Sequence, residues 1–92
     1  MIKTFKCSDT QKLFCGERVN AFQSFEISAV SKLNMLDAAS ELSDLSVFPS
    51  NKLEKLHGQR KGQYSIRINK QWRICFIWRE NNAFDVEIVD YH

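Results

Sequence analysis

Proline and glycine are scarce: one proline and three glycines in 92 residues. A chain so poor in both is neither a proline-rich spacer nor a glycine-rich phosphate cradle. The stretch HGQRKG, residues 57–62, holds two of the glycines but no Walker pattern. No apolar run approaches the length of a membrane span, and mean hydropathy is −0.37. The opening MIKTFK alternates apolar and polar residues. It is too short and too interrupted for a signal peptide and reads as a first strand. The three cysteines, Cys7, Cys15 and Cys75, form no CxxC or Cys/His pair, which argues against a disulfide scaffold or a zinc site. Free thiols in a reducing cytoplasm are expected instead. No serine lies in a nucleophile elbow, and no spacing suits a metal. No metal, cofactor or membrane is therefore expected.

Charge of one sign is also lacking. Thirteen basic residues against eleven acidic give +2, too little to announce nucleic-acid binding. The distribution says more. Residues 52–79 hold Lys52, Lys55, Arg60, Lys61, Arg67, Lys70, Arg73 and Arg79 against Glu54 alone, whereas residues 80–92 hold four acids and no Lys or Arg. A basic middle suggests a surface that attracts anions.

An apolar share of 43% supports one core, so residues 1–92 are read as a single domain. Ser8 to Gln11, SDTQ, matches a capping box, with Gly16 as the C′ residue; a helix over about Asp9 to Cys15 follows. Residues 17–24 read as a polar connection. A second helix is expected from about Phe25 to Ser40, with Ala29, Leu33 and Leu36 on one stripe and Met35, Ala39 and Leu42 on another. Pro49 is expected to break it. From Lys52 the period becomes two. Tyr64, Ile66 and Ile68 share one face, as do Trp72, Ile74, Phe76 and Trp78, and then Phe84, Val86 and Ile88. The result is an α+β fold in which two N-terminal helices cover one face of a small, twisted, mainly antiparallel sheet.

Register makes a site of this pattern. The apolar faces coincide only if the loop is odd, Asn69-Lys70-Gln71, with Asn in the left-handed conformation. Ile66 then faces Ile74, and Arg67 stands across from Arg73. In the next hairpin Arg73 lies across from Val89, with Tyr91 one diagonal step away and Asp90 on the core side. Like charges directly opposite repel. An anion between them relieves the repulsion, because guanidinium forks match phosphate oxygens. The competing reading is a solvated face with Arg67 on Glu87 or Arg73 on Asp90.

Arginines, a tyrosine and imidazoles without metal suit phosphate chemistry in which RNA supplies its own 2′-hydroxyl nucleophile. The protein must then neutralise developing charge and move two protons, a task that suits histidine.

The stretch LEKLHGQRKGQYSIRINKQWRICFIW, the following DVEIVDYH and the opening MIKTFK resemble the HigB branch of the RelE/ParE toxin superfamily over the whole chain. The resemblance implies a RelE-like fold and a cytoplasmic, ribosome-dependent endoribonuclease that cuts mRNA in the A site. It implies a cognate helix-turn-helix antitoxin as partner, with operator DNA reached only through it. By position, Arg73 matches the arginine on the scissile phosphate, and Asp90, Tyr91 and His92 match the catalytic trio at the end of the domain. Arg60 and Lys61 match basic residues at the site's edge; Arg67, Lys55 and Lys70 join them as expected contacts to RNA or ribosome. Glu54 stands where better-studied members carry His, and His57 where they carry Lys. Either His57 or His92 is then the base. The related ParE branch offers an alternative, a non-catalytic toxin that inhibits a target such as DNA gyrase by binding.

Overall fold

A computed structural model describes residues 1–90; the expectations for Tyr91 and His92 lie outside the described residues. Helix α1 is Ser8–Phe14. Its N-cap is Cys7, with no side-chain cap bond, so Ser8 is inside the helix and the expected capping box does not form. The C-terminus matches expectation. Gly16 has φ +92°, its amide donates to Leu13 O at 3.1 Å, and Glu17 N donates to Lys12 O at 2.9 Å. This paired closure uses the left-handed residue that glycine adopts without a Cβ penalty.

Residues 17–24 are more ordered than a polar connection. A 3₁₀ turn over Asn20–Phe25 buries Phe22 and Phe25 and leads into α2, Glu26–Ala38. Helix α2 ends well before Pro49. Ala39 is extended, and the Asp44 carboxylate accepts the amides of Ser40 and Glu41 at 2.9 and 3.1 Å. A four-residue helix α3, Ser43–Ser46, follows, and its Leu45 is fully buried. Pro49 instead opens a 3₁₀ turn, Pro49–Asn51, where its missing amide proton is no loss.

The sheet has four antiparallel strands in sequential order: β1 Glu54–Lys55, β2 Tyr64–Arg67, β3 Trp72–Arg79 and β4 Asn82–Asp90. The expected three-strand meander is β2–β4, and the two-residue β1 extends it. The MIKTFK segment runs parallel to the outer edge of β4 through bridges Ile2–Ala83 and Phe5–Val86, covering backbone groups that an open edge would present. The core lies between this sheet and the helices, with Ala29, Leu33, Leu36 and Leu45 meeting Ile66, Ile74, Phe76 and Val86. Each large side chain so buried contributes roughly 1.5–3 kcal/mol. Trp72 stacks on Phe25 with centroids 4.8 Å apart, tying the 3₁₀ turn to the sheet. Thr10, fully buried, accepts the Ile88 amide at 3.0 Å and joins α1 to β4.

The β2–β3 register is as expected: Tyr64 opposite Phe76, Ile66 opposite Ile74, Arg67 opposite Arg73. Its loop closes differently. Asn69 Oδ1 accepts the amides of Gln71 and Trp72, both at 2.8 Å, so the side chain makes the turn. None of residues 69–71 has positive φ. The β3–β4 pairing holds for Arg73–Val89 and Ile74–Ile88, then shifts between Cys75 and Ile77. Beyond this bulge Ile77 faces Phe84 and Trp78 faces Ala83. Asp85, at φ +51°, lies in the shifted stretch; its amide donates to Thr4 Oγ1 at 2.8 Å. Phe84, expected on the core face, therefore lies with Ile77 on the other face, and Ala83 takes the core position. The Arg79 guanidinium is 4.1 Å from the Phe84 ring centroid, a cation–π contact.

Candidate functional site

The sheet face away from α1 and α2 carries Ser65 and Arg67 from β2, Arg73 and Cys75 from β3, and Glu87 and Val89 from β4. It is less open than the alternation suggests. Residues 52–63 fold over part of it: Leu56 is buried outside the main core cluster, Ser65 and Cys75 are fully buried, and Arg73 is only 9% exposed.

Arg73 is held by oxygens on two sides. Its Nε donates to Ser65 Oγ at 2.8 Å, and its Nη2 donates to the Lys52 carbonyl at 2.6 Å and more weakly to the Ser65 carbonyl at 3.5 Å. These acceptors are neutral; they fix the guanidinium without themselves cancelling its charge. Lys52 accepts that bond from a left-handed backbone, φ 46° and ψ 48°, a conformation that costs a non-glycine residue about 1 kcal/mol or more. Across the ladder, the Arg67 Nε donates to Asn69 O at 3.0 Å. The two arginines share a register pair, and each donates to oxygens within the chain. These oxygens are acceptors within the chain, beside any anion that the two guanidinium groups bind.

Glu87 pairs with Arg60 at 2.9 Å, and Arg60 also donates to Gln63 Oε1 at 3.2 Å. The pair pins the covering segment to β4. The Cys75 thiol lies among these charges. Burial pushes its pKa up; Arg60 pulls it down, Glu87 raises it, and Arg73 and Glu54 act more weakly in the same opposed senses. A thiol held protonated is a poor nucleophile. Asp90, opposite Trp72 at the end of β4, accepts Gln71 Nε2 at 3.0 Å.

Of the other expected residues, His57 is exposed at the start of a 3₁₀ turn, Gly58–Arg60. Lys55 is exposed on the edge strand, Lys61 is exposed beyond the turn, and Lys70 is exposed in the β2–β3 loop. Arg67 and Lys70 line a cleft of about 480 Å³, to which Lys32 and Lys52 also contribute. Sequence reading missed three residues. Ser65 was recoverable, since it shares Arg67's face and the register sets it diagonal to Arg73. Lys52 reaches Arg73 through its backbone, and Lys32 comes from α2; no periodicity marks either. Among the described residues, no group of three or more His, Cys, Asp or Glu side chains could hold a metal ion, and no helix is long and apolar enough to cross a membrane.

A small antiparallel sheet with helices on one face is the RelE-like toxin fold. Two solved structures of the YoeB–YefM toxin–antitoxin complex from Staphylococcus aureus share it. One has a TM-score of 0.59 and 22% identity, the other 0.58 and 21%, each covering 100% of this chain and 98% of the matched one. The chain belongs to the HigB-like toxin family, the RelE-like toxin of the type II toxin–antitoxin system HigB, whose family model matches residues 4–92. Toxin HigB-1 of Vibrio cholerae is 45% identical over 62 residues, which are 67% of this chain and 65% of that protein. Endoribonuclease HigB of Proteus vulgaris is 30% identical over an alignment of 93 positions that covers 100% of both chains.

Proposed function

We propose that this toxin is a ribosome-dependent endoribonuclease that cleaves mRNA by attack of a ribose 2′-hydroxyl on the adjacent phosphate. The observation that carries the reading is the fixed Arg73 fork, paired across the ladder with Arg67. A guanidinium held in advance stabilises developing phosphorane charge without reorganising during the reaction. The Proteus relative, aligned over its full length, bears the name endoribonuclease, which supports the same reaction.

In this reaction the 2′-oxygen bonds to phosphorus as the bond to the 5′-oxygen breaks. A base, His92 or His57, takes the 2′ proton. The other histidine, or Tyr91, gives a proton to the departing 5′-oxygen. Asp90 stands beside this pair in sequence, at the end of β4. Arg73 and Arg67 hold the phosphate, while Arg60, Lys61, Lys55 and Lys70 guide RNA and ribosome to the face. The partner is a helix-turn-helix antitoxin that also carries any operator contact, and the setting is the cytoplasm. That the fold's solved neighbours are toxin–antitoxin complexes supports such a partner.

The test is Arg73→Ala in a purified translation system. Cleavage is expected to fall by roughly 10²–10³, with the circular dichroism spectrum retained. Because Arg73 is buried, Arg73→Lys is measured beside it; it keeps the charge but loses the fork and is also expected to cut poorly. Wild-type cutting by both variants overturns the assignment.

A further inference from the structure

The cleft of about 480 Å³ lies where three segments distant in sequence meet: Lys32 from α2, Ser50 and Lys52 around the Pro49–Asn51 turn, and Arg67, Asn69 and Lys70 from the β2–β3 hairpin. Among the described residues, four cations line it and no carboxylate does. Charges of one sign gathered at a concave surface focus a field that draws counter-ions.

Lys32 is not simply a wandering surface amine. Its Nζ donates to Asn51 Oδ1 and, at 3.3 Å, to Ser50 Oγ. Asn51 is itself fully buried, with Nδ2 donating to the Leu45 carbonyl at 2.9 Å. A chain of bonds thus runs from the core to the ammonium and restrains it at the cleft, reducing the ordering that a ligand must impose. Desolvation lowers the Lys32 pKa; the ammonium lacks some of the solvation it would have in open water, and an anion supplies the missing interaction. Lys52 links this cleft to the Arg73 site: it is one of the residues lining the cleft, and its carbonyl holds Arg73. Arg67, one strand over from Arg73, stands at the boundary between the two.

We propose that this cleft binds a backbone phosphate of the same RNA strand, next to the one held by Arg73, and that Lys32 and Lys52 are its ligands alongside Arg67 and Lys70. The choice of RNA as the anion's source rests on the nuclease reading above. Such a subsite supplies affinity and sets the strand's position while reading no base.

The experiment uses the whole chain and a single-stranded RNA oligonucleotide with 2′-O-methyl groups throughout, which cannot undergo 2′-hydroxyl attack. Binding is followed by fluorescence anisotropy across a salt series, and cleavage of ordinary mRNA is measured in parallel by translation assay. Lys32→Gln with Lys52→Gln is expected to weaken binding roughly tenfold or more at low salt and to flatten the slope of log K against log salt by about 1.4, two contacts at about 0.7 each. Lys70→Gln, in an exposed loop where the fold is not at stake, is expected to flatten it by about 0.7. Unchanged slopes in these variants, or no wild-type binding at low salt, overturn the proposal. Unchanged slopes with normal wild-type cleavage refute the subsite and leave the nuclease reading intact. Flattened slopes with no wild-type cleavage do the reverse.

Discussion

Two arginines opposite each other in a ladder look like an electrostatic error until their acceptors are followed. Arg67 leans on the Asn69 carbonyl, while Arg73 is drawn between Ser65 and the Lys52 carbonyl. Ser65 is therefore a positioning residue for the fork. Ser65→Ala leaves the Arg73 Nε facing a methyl group in a fully buried setting, so a loss of roughly 1–3 kcal/mol is expected. Urea denaturation measures it, and an unchanged midpoint would mean that Arg73 finds another acceptor at no cost. The same burial governs Cys75, whose thiol is raised chiefly by desolvation, whereas Cys15 is exposed. With iodoacetamide at neutral pH, mass spectrometry is expected to find Cys15 modified in the folded protein and Cys75 modified only after denaturation. Equal rates would show that residues 52–63 open readily from the sheet.

At the level of elements, the β2–β3 hairpin was legible because both strands keep period two and only an odd loop aligns their apolar faces. The way that loop closes was not, since Asn serves a turn equally well by its backbone or by its side chain. Asn69→Ala removes an oxygen that accepts two amides; a loss of about 1–2 kcal/mol is expected in urea denaturation, and Asn69→Gly, which supplies backbone freedom but no acceptor, should not restore it. The β3–β4 bulge was illegible for another reason. Ala83 and Phe84 are both apolar, so the pattern fits either face. What decides between them is the left-handed Asp85 and its amide bond to Thr4, a contact between residues 81 apart in sequence. Asp85→Val puts a β-branched side chain at positive φ, with a cost of about 1–3 kcal/mol. Loss of secondary-structure signal at a lower temperature than wild type is the readout. The helices show the limit of short signatures: SDTQ has capping-box spacing, yet the helix begins on Ser8 itself.

For the whole molecule, the charge map drawn along the chain is rewoven by folding. The acid-rich final strand does not form a surface of its own: Glu87 is spent on Arg60, and Asp90 accepts from Gln71. The basic middle gains Lys32 from a helix twenty residues earlier than Lys52, a neighbour that only tertiary packing supplies. The candidate site was thus readable where one sheet's register creates it, at Arg67 and Arg73, and unreadable where separate segments meet. Removing His92 takes away a titratable group that the nuclease reading uses and that inhibition by binding alone does not need. Loss of a general acid or base typically lowers a rate by 10²–10⁴. Expressed without antitoxin, the chain lacking His92 should therefore permit growth, whereas the full chain should arrest it and create new mRNA 5′ ends in frame with codons. Growth arrest by both chains with no new 5′ ends would place the poisoning in binding alone.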